Sequence, residues 1–531
     1  MREAARAKCP LVRLYANLGL PRGQLAWIAA DLGGEVVERF ADSPDGPAVL
    51  RVGEERLLGR DLLKRLGIEI DEVSAASMAE VAALLEIIEG AESPTDEEDY
   101  AAKFHAVFEM LDQLEQRLDR QRFIGGGERP TIADWFLWCV LLRFDAVYYP
   151  LYKLNRTRVV DMPNLSGFLR DLWQQGVGVS SLDWAAIKAE HFLRDVPINH
   201  RRIVPRGGVP DLALGHDRDR FADDDDAKAV EESPGAPVLP GAFVRKQSGH
   251  RDWITADGAS GFPAEAGRYH LYVANNCPWC HRVALTRSLL HLDEAVTMDV
   301  LFYRRDPDRG WQFAPNEPGC TPDTVFGHRY IQQLYERVGS RETSVPVLYD
   351  RETDRIVSNE SAEIIRMLDQ AFGDRRTSAL YPEGLYPAKH RASIDELNAW
   401  IYTDVNNGAY KAGFAKSQAA YDAASAAFFA ALARLDRRFE GRRFLCGDVL
   451  TEADVRLFPT VFRFDHVYFT RFRLNDRMVR DLEHLHRWLR EMNDVEEVRA
   501  ASNLEHCKKG YFGRTGNGIV PLGPDFGFEA P

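Results

Sequence analysis

Cys277 and Cys280 are the residues of this chain whose type and spacing most directly offer chemistry, in the run Leu271-Tyr-Val-Ala-Asn-Asn-Cys277-Pro278-Trp279-Cys280-His281-Arg282. The run reads as a buried strand over 269–274, a sharp turn at Asn275-Asn276, and a helix that begins at the first cysteine. Pro278 suits the first helical turn, where a missing N–H removes no hydrogen bond. A cysteine at a helix N-terminus faces unpaired backbone N–H groups and the positive end of the dipole. That setting favours thiolate over thiol and can bring a pKa of about 8.5 down to roughly 3.5–7.5. Cys277 is therefore the candidate nucleophile. Zinc binding by Cys-x-x-Cys would require a second ligand pair at metal-like spacing, and none stands in the sequence. A buried structural pair would be flanked by apolar residues rather than by Pro-Trp and His-Arg. Thiol transfer or redox chemistry is the reading that the strand–cysteine–helix context supports.

The elements that must carry this site occur twice. Thr131-Ile-Ala-Asp134 matches Thr451-Glu-Ala-Asp454, and Arg143-Phe-Asp-Ala-Val-Tyr148 matches Arg463-Phe-Asp-His-Val-Tyr468, each pair 320 positions apart. Leu14-Tyr15 matches Leu271-Tyr272, and Pro21 matches Pro278, at an offset of 257. The chain is thus two copies of one two-domain unit. In copy one, strands are expected at Val12 to Ala16, Glu35 to Phe40, Ala48 to Val52 and Glu55 to Leu58, with helices near Pro21 to Leu32 and Arg60 to Leu66. A helical period then runs from Ser77 to about Val177. Thr131-x-x-Asp134 reads as a helix N-cap box. In copy two the cysteine helix is followed by a strand over Val296 to Phe302, an excursion over Tyr303 to Gly339, and strands at 344–349 and 355–357. The helix Ala362 to Ala371 closes that domain, residues from about 388 to 507 are helical, and the tail is expected to be irregular. The domains fall at 1–72, 73–205, 241–375 and 376–531. The acidic, Pro-rich stretch 206–240, with Asp223-Asp-Asp-Asp226, is expected to be an exposed tether.

Composition limits the alternatives. A chain of 531 residues with a net charge of −14 and no basic tract is a poor nucleic-acid binder. No apolar run approaches the roughly 18 residues of a membrane span, and residues 1–10 lack the apolar core of a signal peptide. Seven cysteines in a chain this long do not make a disulfide framework. A reducing cytoplasm is the expected location.

Two further motifs surround the thiol. Val345-Pro346 opens the third strand of copy two, the usual place of a cis-proline in a thioredoxin fold, where exposed backbone groups can pair with a peptide. Glu360-Ser361 stands at a helix N-terminus, where the Ser361 N–H and hydroxyl can hold a carboxylate and Glu360 an ammonium. An amino-acid moiety carries both charges, and the γ-glutamyl end of glutathione fits.

Copy two, from about Gly241 to Pro531, resembles the glutathionyl-hydroquinone reductases, the Xi class of glutathione transferases. The residues that carry the resemblance are Arg268-Tyr-His-Leu-Tyr272 before Cys277-Pro-Trp, Gly310-Trp311, Val345-Pro-Val-Leu348 and Ser358-Asn-Glu-Ser-Ala-Glu-Ile-Ile-Arg366. Ile394-Asp-Glu-Leu-Asn398, Asn406-Asn-Gly-Ala-Tyr410-Lys-Ala-Gly-Phe414, Ala453-Asp454 and Arg463-Phe-Asp465 continue it. The resemblance implies tandem units, each a thioredoxin-like βαβ/ββα domain followed by an all-helical domain (α/β plus all-α). It implies that Cys277 attacks the sulfur of a glutathionyl-hydroquinone, that hydroquinone leaves, and that a second glutathione resolves the Cys277–glutathione disulfide. Trp311, Arg341, Val345, Glu360 and Ser361 should bind glutathione, which serves as co-substrate with no metal. Arg341 is one residue further from Pro346 than the family pattern has it. Tyr410 and Tyr511 match the aromatic-site tyrosines and should assist proton transfer.

Two departures leave alternatives open. The family often has Ala where Cys280 stands, so Cys280 is expected to be an auxiliary thiol, and a dithiol reductase of glutaredoxin type, or one using another low-molecular-weight thiol, is a rival. Copy one has Leu20, Arg22 and Gly23 where copy two has Cys277, Trp279 and Cys280, and His191 where copy two has Tyr511. Pro47 keeps the strand-opening proline, but Gly59-Arg60 stands in place of Glu-Ser. Copy one has thus lost the nucleophile, and a non-catalytic ligand-binding scaffold is a further rival. Family members dimerise through their helical domains, so copy one is expected to act as a built-in partner in an intramolecular pseudo-dimer, with a further homodimer of chains left open. The partners implied are glutathione and aromatic quinol conjugates, with neither nucleic acid nor membrane.

Overall fold

A computed structural model describes residues 12–15, 37–40, 49–52, 55–57, 72–127, 129–175, 182–194, 199–218, 248–372, 378–513 and 518–528. The chain divides into two compact units, residues 1–234 with 521–525 and residues 235–520 with 526–531. The helices expected at 21–32 and 60–66, the residues Leu20, Arg22, Gly23, Pro47 and Gly59-Arg60, and the acidic run 223–226 lie outside the described residues.

The two units repeat one sheet. In the first, β1 (Val12–Tyr15) pairs parallel with β2 (Val37–Phe40) and antiparallel with β3 (Val49–Val52), which pairs with β4 (Glu55–Leu57). In the second, β5 (Tyr269–Ala274) pairs parallel with β6 (Val296–Leu301) and antiparallel with β9 (Val347–Asp350), which pairs with β10 (Arg355–Ser358). The orders are β2-β1-β3-β4 and β10-β9-β5-β6. The four strands expected in copy one are present within the expected bounds. In the second unit β5 is buried along its whole length, which explains why it reads as a continuous apolar run rather than an alternating one. Between β6 and β9 the excursion holds the short hairpin β7 (Arg305–Asp306) and β8 (Gly310–Trp311). Gly310 has a φ of +78°, and a Cβ there would lie 2.6 Å from Thr343 Cβ, so only glycine admits Trp311 at this point.

The helical halves repeat too. In unit 1, α1 (Glu72–Gly90), α2 (Glu97–Leu118), α3 (Ile132–Leu142), α4 (Pro163–Gln174) and α5 (Trp184–Phe192) follow the sheet. In unit 2, α6 (Pro278–Leu289), α7 (Ile331–Arg337) and α8 (Ser361–Ala371) belong to the sheet domain. The helices α9 (Arg391–Trp400), α10 (Asn407–Gly413), α11 (Gln418–Phe439), α12 (Glu452–Arg463), α13 (Glu483–Asp494), α14 (Glu496–Ala500) and α15 (Leu504–Phe512) form the rest.

The matched residues do matching work. Asp134 accepts from the backbone N–H of Thr131 at 2.8 Å and of Ile124 at 2.7 Å. Asp454 accepts from those of Thr451 at 3.0 Å and Leu445 at 2.9 Å. Asp145 holds the N–H groups of Val159 and Val160, as Asp465 holds those of Val479 and Arg480. Phe144–Tyr148 and Phe464–Tyr468 both widen into π-helix after α3 and α12, a feature that recurs at functional sites. Within the stretch expected as a tether, Arg218 is buried and donates to the carbonyls of Leu118, Gln121 and Arg122. Its first part, 206–218, therefore includes residues tied to the helical domain of copy one. Among the described residues, no helix is long and apolar enough to cross a membrane.

Candidate active site

Cys277 is the N-cap of α6, with extended backbone angles (φ −82°, ψ 122°) and Pro278 as the first helical residue. Its N–H closes the turn on Ala274 O at 2.9 Å. Its half-exposed Sγ lies 3.9 Å from Val345 O, and the Val345–Pro346 bond is cis. The thiol therefore sits between a helix N-terminus and a strand edge that can pair with a peptide. Cys280, one turn on, is buried, and its thiol is pushed well above the usual range, by burial first and then by Cys277.

Glu360 caps α8, accepting from Ala362 N at 3.1 Å and from Ser248 Oγ at 3.1 Å. Ser361 begins that helix and is buried. Its hydroxyl is not open: Arg282 donates to it from Nε at 3.0 Å and from Nη2 at 2.6 Å. The same guanidinium stands 3.6 Å from Glu360 Oε1 and over the Trp279 ring at 4.8 Å. It is buried, and its Nη1 has no hydrogen-bond partner. Burial, and then Arg456, pull the Arg282 pKa down to about 9. Arg282 stands in the cysteine motif itself, and its role there became legible only once α6 and α8 were seen to pack together. Trp311 is buried on β8, and Arg341 is exposed on the loop before Val345.

Three phenols gather on the helical side. The hydroxyls of Tyr410 and Tyr511 are in hydrogen-bond contact, and Tyr468 Oη lies 3.2 Å from Tyr511 Oη. The Tyr410 ring is 6.4 Å from the Trp279 ring, and Tyr402 stands 5.7 Å from the same indole. Burial pushes the Tyr468 and Tyr511 phenols well above their usual range. Tyr511 sits in α15, capped by Asn503, so the helical region extends past the expected end near 507. Tyr468 served in the sequence only as a landmark of the repeat, and its place beside Tyr511 follows from the π-helical turn that aims it inward.

The thiol turn is clamped from the helical domain of its own unit. Arg463, at the end of α12, donates to Asn275 O at 2.8 Å and Asn276 O at 3.3 Å. Gly510 lets α15 approach closely, since a Cβ there would lie 2.4 Å from Asn276 Nδ2. In copy one the place of Tyr511 is taken by His191, whose Nδ1 pairs with Tyr152 Oη at 2.9 Å. Burial pulls His191 down to about 3, so it is neutral. Among the described residues, no group of three or more His, Cys, Asp or Glu side chains could hold a metal ion.

Family models agree with this architecture. The glutathione S-transferase N-terminal domain matches residues 276–371, and the glutathione S-transferase C-terminal domain matches twice, at 97–171 and 418–491. A glutathionyl-hydroquinone reductase of Escherichia coli is 42% identical over 300 residues, covering 54% of this chain and 89% of the relative. One from Sphingobium chlorophenolicum is 41% identical over 291 residues, covering 54% and 90%. Among solved structures, an Xi-class glutathione transferase from Natrialba magadii superposes with a TM-score of 0.51 at 40% identity, covering 53% of this chain and 87% of that one. The glutathione-bound structure of an Escherichia coli glutathione transferase homologue does so with a TM-score of 0.50 at 41% identity, covering 53% and 95%. The chain belongs to the glutathione transferase family. Within that family it is of the glutathionyl-hydroquinone reductase type, the Xi class, and it carries the helical domain twice.

Proposed function

We propose that copy two reduces glutathionyl-hydroquinones, with Cys277 as nucleophile. The observation that supports this most is the thiol at the N-terminus of α6, 3.9 Å from the carbonyl before cis-Pro346. Glutathione, as substrate, pairs its backbone with the strand edge at Val345 and places its γ-glutamyl end at the Glu360-Ser361 cap, with Trp311 and Arg341 beside it. The Cys277 thiolate attacks the glutathionyl sulfur. A sulfur–sulfur bond forms, the carbon–sulfur bond breaks, and the electron pair passes to the ring carbon, which takes a proton as hydroquinone leaves. The Tyr410–Tyr511–Tyr468 cluster is the proton source near that carbon. A second glutathione thiolate attacks the mixed disulfide, releasing glutathione disulfide and the Cys277 thiolate. Cys280, buried and held protonated, is auxiliary to this cycle. The chemistry suits a reducing compartment such as the cytoplasm.

The test is intact-protein mass after incubation with a glutathionyl-hydroquinone, in wild type and Cys277→Ser. One added glutathione on wild type only, with hydroquinone released, supports the reading. A protein with no adduct and no release is not this enzyme. We propose further that copy one serves as a built-in dimer partner. Light scattering should then give a single chain of 60.1 kDa, and an obligate dimer of chains would count against it.

A further inference from the structure

Arg463 is fully buried, and among the described residues no carboxylate pairs with it. Its hydrogen bonds all go to neutral acceptors. Nη2 donates to Asn275 O at 2.8 Å and Nε to Asn276 O at 3.3 Å. Nη1 donates to Pro459 O and to His281 Nδ1, both at 2.8 Å. His281 completes the chain as a neutral ring. Its Nδ1 is bare toward the guanidinium, and its Nε2–H donates to Ser502 Oγ at 2.9 Å, which donates in turn to Val498 O at 2.7 Å. Burial, and then the charge of Arg463, hold His281 well below its usual range.

A lone buried cation is costly unless something nearby carries negative charge. The groups that can do so here are thiols and phenols. Cys507 packs Sγ at 3.6 Å from Asn275 O on α15, and Tyr410, Tyr468 and Tyr511 face the same guanidinium. A guanidinium keeps its proton even when buried, and Cys507, Tyr468 and Tyr511, whose own ionisation burial disfavours, offer it no standing negative charge at neutral pH. Cys280 also lies within its field. Of the neighbouring thiols, Cys280 and Cys507 are buried and pushed up by that burial, whereas Cys277 is half-exposed at a helix N-terminus. Cys277 follows directly on the two carbonyls that Arg463 grips.

We propose that Arg463 is a positioning residue for the thiol chemistry. It fixes the Asn275–Asn276 turn, and its unpaired positive charge biases Cys277 toward thiolate and favours the anionic leaving group at the phenol cluster. The inference rests on the reading of Cys277 as the nucleophile. It assigns the local electrostatic work to a residue of the helical domain rather than to the helix dipole alone.

The test is the pH profile of Cys277 alkylation by iodoacetamide, read by peptide mass on the full chain, in wild type, Arg463→Gln and Arg463→Lys. It needs neither glutathione nor quinol, so it is independent of whether the proposed substrate is right. Arg463→Gln keeps donors for the turn but loses the charge. Its midpoint should rise by about one pH unit, a roughly tenfold loss of thiolate below the midpoint. Arg463→Lys keeps the charge with fewer bonds and should stay within about 0.3 unit of wild type. A Gln profile that coincides with wild type, or Gln and Lys shifts of equal size, would overturn the proposal. If Arg463→Gln does not fold, the lysine variant decides alone: a midpoint near wild type supports it and a one-unit rise overturns it.

Discussion

The Arg282 guanidinium donates to the Ser361 hydroxyl through both Nε and Nη2, at 3.0 and 2.6 Å, while its buried Nη1 has no hydrogen-bond partner. The helix that starts at the nucleophile is thereby tied to the helix that is proposed to hold the γ-glutamyl end. Charge-assisted hydrogen bonds of this kind contribute about 1.5–3 kcal/mol each when one partner is removed. Arg282→Met should lower stability by roughly that amount and raise the KM for glutathione about tenfold, with a smaller change in kcat. Glutathione titration calorimetry and steady-state kinetics check it, and an unchanged KM would separate Arg282 from the substrate.

This relationship also marks how far the sequence could be read. Strand β5 was legible because a continuous apolar run marks a strand buried on both faces, and it lies at 269–274 as expected. The repeat was legible because capping and turn carboxylates such as Asp134 and Asp454 are fixed by backbone geometry and so keep their spacing. Arg282, Arg463 and Tyr468 were visible as letters but not as a site. Their roles arise from packing between segments roughly 40 to 190 residues apart, and no local period carries that. The end of α15 was missed because Lys508, Lys509 and Gly510 interrupt the apolar pattern; Gly510 is there to admit Asn276.

Thiol reactivity should be strongly unequal. Of the six described cysteines, Cys139, Cys280 and Cys507 are buried. Burial raises Cys139 and Cys320 to about 12 and about 11, and raises Cys446 as well. Brief iodoacetamide treatment at pH 7 should therefore modify Cys277 first among these six, and Cys277→Ser should lose that fast phase. Cys280→Ala should retain most of the turnover. Loss of turnover in Cys280→Ala with normal labelling of Cys277 would favour the dithiol mechanism.

The phenol cluster should act as a unit. Removing the Tyr511 hydroxyl takes away the group that contacts both Tyr410 and Tyr468. Tyr511→Phe should lower kcat for glutathionyl-hydroquinone reduction by about 10²-fold, within the usual range for a proton-transfer group. Tyr468→Phe, which leaves the Tyr410–Tyr511 contact in place, should have a smaller effect, and the double variant should fall short of the product of the two. Rapid-quench detection of the mixed disulfide locates the defect, since it belongs in the step that releases hydroquinone.

Buried histidines should set the acid limit of stability. Burial pulls His191 and His466 down to about 3, and His281 well below its usual value. In the unfolded chain each protonates near pH 6.5. The unfolded state then binds more protons than the folded state, so stability is full above that pH and falls as pH drops below it. Each histidine contributes a slope of up to about 1.4 kcal/mol per pH unit. Asp145 and Asp454 oppose this lower down. Burial raises both to about 6, so below that pH the folded state gains their protons before the unfolded state does, and the slope should ease. Urea unfolding between pH 7.5 and 5.0 should show midpoints that decline most steeply just below pH 6.5. His466→Gln should remove about one proton from the uptake on unfolding, whereas midpoints that do not change with pH across this range would mean that these rings are already charged in the fold.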